Sequence, residues 1–221
     1  MKIKICGIKT YEEAMFAVEA GADMIGFNFY PASPRYISPG DCMKLVVRLQ
    51  TALHYDFPRL MTVGVFVNAL PELILSVHKD APLDMVQLSG DESPEDLETL
   101  GDRAFQALRP ASPEALAEAV RKGTRRKLPP YWLIDANRPG EYGGTGHTAD
   151  WRMAAGLAKQ WPILLAGGLR PNNIAEAIRQ VQPWGVDVAS GVESSPGVKD
   201  PQKVKAFIDA VRATERELIQ S

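Results

Sequence analysis

Residues 2–29, KIKICGIKTYEEAMFAVEAGADMIGFNF, contain the pattern that decides the fold. Lys2–Cys6 and Met24–Phe29 are short runs rich in apolar residues, as expected of strands that are buried on both faces. Thr10 and Glu13 fit a capping box, the signature of a helix start. The segment that follows has the i, i+3, i+4, i+7 apolar spacing of an amphipathic helix, at Tyr11, Ala14, Met15 and Val18. The stretch therefore predicts a strand–helix–strand unit with parallel strands.

The same alternation continues to the end of the chain. Six further runs have the length and composition of buried strands, namely Leu60–Phe66, Met85–Leu88, Ala104–Leu108, Trp132–Asp135, Ile163–Ala166 and Val186–Val188. Four further segments carry the helical stripe, namely Cys42–Leu49, Leu70–Val77, Ile174–Val181 and Val204–Val211. Asp200 and Pro201 fit an N-cap followed by proline at the first helical position. The sequence thus predicts eight parallel strands connected through helices.

Eight strand–helix units account for the length of the chain. Divided among eight units, 221 residues leave about 28 each, close to a ~5-residue strand, a ~11-residue helix and two short loops. We therefore predict an α/β fold with one domain over residues 1–221, a (β/α)8 TIM barrel whose closed parallel sheet is surrounded by helices. The structural alternative is a doubly wound open sheet, which would need fewer strands and leave residues to spare.

Composition and charge exclude several classes of protein. The chain is 45% hydrophobic and 24% charged, which is ordinary for a globular protein. Its net charge of −2 lacks the basic excess of nucleic-acid-binding proteins, and the basic cluster Arg121–Lys127 fits a solvated helix end and loop. Two cysteines cannot form a disulfide framework, and three scattered histidines form no metal-binding pair. Without the pattern of a signal peptide or membrane span, we expect a cytoplasmic protein that binds neither nucleic acid nor a membrane.

In a (β/α)8 barrel, reactive side chains lie where strands end and the following loops begin. Cys6 ends the first strand on the face that carries Lys4, and we expect this face to point into the barrel because Ile3 and Ile5 suit packing against helices. Asp135 closes the sixth strand. A cysteine and an aspartate at one mouth can serve as general base and general acid; the alternatives are a small buried hydrophobe and a loop cap. Lys4, one layer below Cys6, would favour its thiolate.

Glycine-rich stretches follow the last three predicted strands. In this fold, backbone N–H groups of the loops after strands 7 and 8 usually bind a phosphate. The chain has neither the P-loop motif nor the dinucleotide-binding glycine motif. Arg35, after the second strand, could bind a carboxylate through its planar guanidinium or lie in solvent, and Gln87 in the fourth strand is a possible polar contact. The candidate glycine-loop residues for substrate binding are Gly144, Gly167, Gly168, Ser190 and Gly191.

Seven stretches spread along almost the whole chain carry a resemblance to a known family. They are KICGIK, GADMIGFNFYPASPRYI, VGVFVN, VQLSGDE, LIDANRPGEYGGTGHTADW, LLAGGL and VDVASGVESSPGVKD. In this order and spacing they resemble the phosphoribosylanthranilate isomerases of tryptophan biosynthesis. The resemblance implies a (β/α)8 barrel and an aldose–ketose isomerase that converts a phosphosugar, N-(5-phosphoribosyl)anthranilate, by Amadori rearrangement. It also implies that neither a cofactor nor a metal is required.

The resemblance assigns roles to individual positions. The catalytic cysteine of the family falls on Cys6 and its catalytic aspartate on Asp135. The arginine that meets the anthranilate carboxylate falls on Arg35, and the phosphate loops fall on Gly167-Gly168 and Ser190-Gly191. By this assignment Asp135 protonates the ribose ring oxygen and opens the ring to an iminium. Cys6 then removes the proton from C2 of the sugar.

Two positions depart from the pattern of many family members. Ser89 stands where they carry histidine, and Gln106 stands where they carry lysine in the fifth strand. Neither position holds the acid or the base, so the expected activity is unchanged. Two alternatives remain open. A histidine-pathway aldose–ketose isomerase performs the same rearrangement on another amine, but its family carries aspartate where this chain has Cys6. A non-catalytic barrel subunit would be expected to lack Cys6 or Asp135.

Overall fold

Parallel strands form a closed barrel in a computed structural model that describes residues 1–53, 60–123, 126–135 and 151–220. Each strand pairs with the next one in the chain, and the first pairs with the eighth in register Lys2 to Gly185. This last pairing closes the sheet, so the predicted barrel is confirmed and the open-sheet alternative is wrong. The strands are β1 Lys2–Cys6, β2 Met24–Asn28, β3 Met61–Phe66, β4 Met85–Leu88, β5 Ala104–Leu108, β6 Trp132–Ile134, β7 Ile163–Leu165 and β8 Gly185–Val188.

Helices follow the strands and cover the outside of the barrel. Thr10 and Glu13 form the predicted capping box at the first helix, and the Asp200 carboxylate accepts the N–H groups of Gln202 and Lys203 at the last. Polar N-caps of this kind satisfy the free N–H groups of a first helical turn. The helices are α1 Tyr11–Ala20, α2 Pro39–Ala52, α3 Pro71–Asp80, α4 Pro94–Leu100, α5 Pro113–Lys122, α6 Trp151–Ala158, α7 Ile174–Val181 and α8 Pro201–Gln220.

Alternation along the strands separates two cores. The larger core lies between sheet and helices and includes Ile3 and Ile5 of β1. The smaller core fills the barrel interior and is mainly apolar, with Met24, Val63, Met85, Phe105, Ala107, Leu133, Leu164 and Ala166. Residues of β1 with even numbers therefore point into the barrel, as the sequence predicts.

Several predicted boundaries differ from the structure by one residue at the carboxyl ends of strands. Phe29, Asp135 and Ala166 lie just beyond β2, β6 and β7, although each backbone N–H still donates to a carbonyl of a neighbouring strand. The predicted stripe of α3 is wrong at Leu70 and Leu73, which are 72% and 56% exposed. The helix begins at Pro71, so Leu70 is its N-cap, and the buried face consists of Ile74 and Val77.

A short antiparallel hairpin after β8 is an element that the strand pattern does not predict. It consists of β9 Glu193–Ser195 and β10 Val198–Lys199. Gly197 has a φ of 79° in its turn, a conformation that glycine adopts without strain. Pro196-Gly197 is a sequence signal for a turn and could have revealed the hairpin.

Candidate active site at the barrel mouth

Cys6 lies at the carboxyl end of β1 with its side chain inside the barrel, 7% exposed. It pairs in register with Gly26 of β2. A Cβ added at Gly26 would lie 2.8 Å from the Cys6 sulfur, so this glycine leaves the space that the thiol occupies. The predicted orientation of Cys6 therefore agrees with the structure. Cys42, by contrast, belongs to α2 and is fully buried in the outer core, as its helical stripe predicts.

A charged network fills the barrel interior one layer below Cys6. The Lys4 ammonium is fully buried and donates to Asp187 Oδ1 of β8 at 2.7 Å and to Gln87 Oε1 of β4 at 2.8 Å. The amide of Gln87 in turn donates to Ser89 Oγ at 2.9 Å. Gln87 thus lies at the predicted place, but its contacts in this structure are with Lys4 and Ser89.

Burial and charge act in opposite directions on the Cys6 thiol. Burial raises the pKa of Cys6 most strongly, the charge and hydrogen bonding of Lys4 lower it, and the Asp187 carboxylate raises it. The pKa of Cys6 ends above its ordinary value. Lys4 therefore favours the thiolate, as the sequence suggests, but burial has the larger effect.

Asp135 follows β6 directly and is half-buried. Its backbone N–H donates to Leu108 O at 3.0 Å, which extends the pairing with β5 by one residue. Leu133, two residues earlier, lies in the interior core. Alternation therefore places Asp135 on the inward face at the same mouth as Cys6, three strands away around the barrel.

Arg35 follows β2 and packs its side chain over Gly7, the residue after Cys6. A Cβ at Gly7 would lie 2.6 Å from Arg35 Cδ, and the φ of Gly7 is 81°. The Arg35 guanidinium donates from Nε and Nη2 to the two carboxylate oxygens of Glu193, both at 2.8 Å. The alternative of a solvent-facing arginine is wrong, because Arg35 is held at the mouth by a bidentate ion pair.

Glu193 and Lys199 of the hairpin are site residues that sequence reasoning missed. Lys199 is buried and donates to Glu193 Oε1 at 2.8 Å and to Ala189 O at 3.1 Å. Burial raises the pKa of Glu193, but hydrogen bonds from Arg35 and Lys199 outweigh it and hold that pKa below its usual range. A pattern of strand ends cannot reveal these residues, because they lie on a hairpin outside the barrel sheet.

The predicted phosphate loops after β7 and β8 lie against each other. Gly167 and Gly168 have φ values of 87° and 67°, a conformation in which consecutive N–H groups can face one anion. Ser190 and Gly191 form a 3-10 turn, and a Cβ at Gly191 would lie 1.8 Å from Leu169 O. Only glycine allows so close an approach of the two loops. Gly144, the remaining predicted loop residue, lies outside the described residues.

The two departures from the family pattern differ in position. Ser89 is buried beside Gln87 and belongs to the interior network. Gln106 alternates with Phe105 and Ala107 of the interior core, so it shares the outer face with Ala104 and Leu108. Its amide donates to Glu92 O at 3.4 Å. Only the Ser89 departure therefore changes the barrel interior.

A cavity of about 590 Å³ lies elsewhere, between α5 and α6 on the outside of the barrel. Its walls include Leu116, Val120, Leu157 and Trp161, so it is largely apolar. The titratable groups described above meet at the mouth and not in this groove. In the described ranges no three side chains of His, Cys, Asp or Glu cluster as metal ligands, and no helix there has the length and hydropathy to cross a membrane.

Comparison with known proteins agrees with this geometry. A family model described as N-(5'phosphoribosyl)anthranilate (PRA) isomerase matches residues 3–210. The N-(5'-phosphoribosyl)anthranilate isomerase of Trichlorobacter lovleyi is 43% identical over 94% of this chain and 96% of its own length. The protein of that name from Myxococcus xanthus is 44% identical over 96% of this chain and 97% of its own length.

Solved structures give the same result. The crystal structure of phosphoribosyl anthranilate isomerase from Thermotoga maritima superposes with a TM-score of 0.84 at 40% identity, over 96% of this chain and 99% of that one. A phosphoribosyl anthranilate isomerase in complex with reduced 1-(o-carboxyphenylamino)-1-deoxyribulose 5-phosphate has a TM-score of 0.79 at 36% identity, with the same coverage. Family model, sequence relatives and barrel geometry agree, and the chain belongs to the N-(5'-phosphoribosyl)anthranilate isomerase family.

Proposed function

We propose that the protein is a phosphoribosylanthranilate isomerase of tryptophan biosynthesis. It converts N-(5-phosphoribosyl)anthranilate to 1-(2-carboxyphenylamino)-1-deoxyribulose 5-phosphate. The observation that carries the proposal is the placement of Cys6 and Asp135 on the inward face of one barrel mouth, three strands apart. An acid and a base in this arrangement can approach a substrate from different sides.

Two proton transfers, one by Asp135 and one by Cys6, convert the substrate to an enolamine. Asp135 donates a proton to the ring oxygen of the ribose, the bond between that oxygen and C1 breaks, and an iminium forms at C1. The Cys6 thiolate removes the proton from C2, and the electron pair of that C–H bond neutralises the iminium to give an enolamine. Tautomerisation of the enolamine, in which C1 gains a proton and the hydroxyl on C2 loses one, yields the ketone, and Asp135 regains its proton from water. The reaction breaks one C–O bond and otherwise moves protons, so we expect it to require neither a cofactor nor a metal. Each acid or base group is typically worth ~10²–10⁴ in rate.

The remaining site residues bind the two ends of the substrate. We assign the anthranilate carboxylate to Arg35. Glu193 accepts hydrogen bonds from Nε and Nη2 of this arginine, and its guanidinium has further donors in Nη1 and the second Nη2 hydrogen. We assign the phosphate to the loops at Gly167-Gly168 and Ser190-Gly191, and we keep Gly144 as a further candidate for substrate binding. Gln87 is the polar contact from β4 and acts from below the mouth through Lys4.

The proposal extends to the setting of the enzyme. We infer that residues 1–221 constitute one barrel domain that works in the cytoplasm. We expect its ligand to be a small phosphosugar, as in the relative solved with a deoxyribulose 5-phosphate derivative. A net charge of −2 gives no overall basic excess for binding nucleic acid.

An assay on two substrates tests the proposal against its nearest alternative. Purified protein receives freshly made phosphoribosylanthranilate, and loss of anthranilate fluorescence is followed; a parallel reaction receives the aminoaldose of the histidine pathway. We expect turnover of the first substrate with a kcat/KM at least 100-fold above that of the second. No turnover of phosphoribosylanthranilate, or a preference for the other substrate, would overturn the proposal.

A further inference from the structure

A buried ion pair stands directly beneath the sulfur of Cys6. Lys4 and Asp187 lie 2.7 Å apart, and their side chains are 0% and 10% exposed. The rest of the interior core is made mainly of apolar side chains. Removing two charges from water costs several kcal/mol per ion, and a hydrophobic pair of similar size would often be as stable. The position of this pair therefore calls for a functional reason.

Gly26 brings the lysine and the cysteine together. A Cβ added there would lie 2.8 Å from Cys6 Sγ and 3.2 Å from Lys4 Cε. The two side chains therefore converge on the same small space above β2, and any larger residue would separate them. Asp187 and Gln87 hold the ammonium group at 2.7 and 2.8 Å from opposite sides of the barrel, on β8 and β4. The ammonium is fixed in place by two acceptors and lies next to the thiol.

We infer that Lys4 is a positioning residue of the isomerase reaction: its ammonium group, held by Asp187 and Gln87, stabilises the thiolate form of Cys6 from beneath. This inference rests on the proposed function, in which Cys6 acts as the base. Only the thiolate can accept a proton, and a buried thiol without a nearby cation would reach that form even less readily than Cys6 does beside Lys4.

The charged groups that face the thiol act in both directions, and Lys4 has the largest effect among them. Lys4 acts from β1 and Asp187 from β8, while Lys199 of the hairpin adds a second, weaker favourable charge. Arg35 and Glu193 above Gly7 form their own ion pair. Of the charges that act on the pKa of Cys6, Lys4 lowers it more than Asp187 raises it. Burial lowers the pKa of Lys4, but Asp187 and Cys6 outweigh it and keep the lysine protonated.

The proton balance leaves Lys4 unchanged over the cycle. The resting thiol loses its proton to water, and the lysine ammonium stabilises the resulting negative charge. The thiolate then takes the proton from C2 of the substrate and becomes a thiol again. Lys4 keeps its own proton throughout, so it contributes charge and orientation and no proton to the reaction.

Titration of the thiol tests the inference without reference to catalysis. The Cys42→Ala background leaves Cys6 as the one titrating thiol of the chain, whose two cysteines are Cys6 and Cys42. The rate of iodoacetamide alkylation, followed by mass spectrometry, is measured against pH, and its midpoint reports the pKa whatever the access of the reagent. An opposite charge in contact typically lowers such a pKa by 1–3 units. Lys4→Met should therefore raise the midpoint by at least one unit and slow alkylation near neutral pH about tenfold or more.

Two further variants control for structural damage. Lys4→Met/Asp187→Asn leaves no unpaired carboxylate in the interior and should also raise the midpoint, because Lys4 has the stronger effect on the thiol. Lys2→Met is the matched control, since Lys2 is on the same strand and face but pairs with Asp23 at the surface; its midpoint should equal that of the parent. If Lys4→Met does not fold, the double variant decides.

A midpoint in the folded Lys4 variants equal to that of Lys2→Met would overturn the inference. The acid limb of kcat/KM against pH should move upward with the alkylation midpoint. If the protein is active and the alkylation midpoint of the Lys4 variants does not move, the inference about Lys4 is contradicted and the proposed function is not. A protein that does not turn over phosphoribosylanthranilate contradicts the proposed function, whatever the titration shows.

Discussion

The guanidinium of Arg35 presents two edges, and Glu193 occupies one of them. Nε and one Nη2 hydrogen are used for that carboxylate, whereas the substrate carboxylate is assigned to the opposite edge. Arg35→Ala should raise the KM for phosphoribosylanthranilate about 10- to 100-fold, because a charge-assisted hydrogen bond is worth ~1.5–3 kcal/mol. The kcat should change only a few-fold. Arg35→Lys keeps the charge without the planar guanidinium, so its KM should lie between those of the wild type and Arg35→Ala. An unchanged KM in Arg35→Ala argues against the assignment.

Glu193 couples the stability of the site to pH. Its pKa in the folded protein lies below the usual value, since its hydrogen bonds outweigh burial. The folded state therefore binds fewer protons than the unfolded chain, so this group stabilises the fold above the ordinary glutamate pKa of about 4.3. That contribution is lost as the pH falls through the lower folded value. We expect the Tm of Glu193→Gln to be lower than that of the wild type at neutral pH. This difference in Tm should become smaller below about pH 4, where Glu193 of the wild type takes up a proton. A difference that stays constant down to low pH would contradict the shift.

Sequence reasoning finds single residues better than their partners. Cys6 and Asp135 stand out because each closes an apolar strand run, and strand alternation gives their direction. Arg35 and Glu193 are 158 residues apart along the chain, and no local spacing predicts such a pairing. Strand alternation likewise places Lys4 inside the barrel. Its partner Asp187 is 183 residues away on β8, so the sequence does not predict this pairing.

At the scale of elements, Glu13 ties the hairpin to α1. One carboxylate oxygen accepts N–H groups of Lys9 and Thr10, and the other accepts the buried N–H of Lys199 at 2.9 Å. Glu13→Ala therefore removes a capping box and also leaves a buried donor unpaired. We expect it to lower the free energy of unfolding in urea by about 1–3 kcal/mol more than Asp96→Ala. Asp96 forms the capping box of α4 without a hairpin contact, and equal losses would contradict the role of Glu13.

Helices and strands that bury an apolar face can be predicted from the sequence, whereas an element held by a few individual polar contacts cannot. The stripe of α1 and the run of β1 follow directly from burial on one face or both. In α3 the stripe misleads, because proline at position 71 starts the helix one residue after Leu70. The hairpin has five strand residues, and contacts with Glu13 and Arg35 hold it to the rest of the barrel. Periodicity over so few residues carries little signal.

For the whole molecule, chain length and strand count determine how the site is assembled. Eight parallel strands in sequential order place β1 and β6 three steps apart around a closed sheet, so residues at their ends share one mouth. This relation follows from the count of strand runs and from about 28 residues per unit. The charged layer inside the barrel does not follow from it, because the usual filling of such a barrel is apolar. The candidate catalytic residues can therefore be predicted from the strand ends, whereas the full set of charges that act on the pKa of Cys6 is seen only in the three-dimensional structure.

The shared mouth makes a direct prediction about the acid and the base. Cys6→Ser and Asp135→Asn should each lower the kcat for phosphoribosylanthranilate by about 10²–10⁴, because each removes one proton-transfer group. Cys42→Ser, at the other cysteine, should keep a kcat close to that of the wild type wherever it folds, since Cys42 lies in the outer core. The decisive measurement is the rate of fluorescence loss with wild type and these three variants at equal concentration. Cys6→Ser and Asp135→Asn as fast as the wild type would contradict the acid–base assignment.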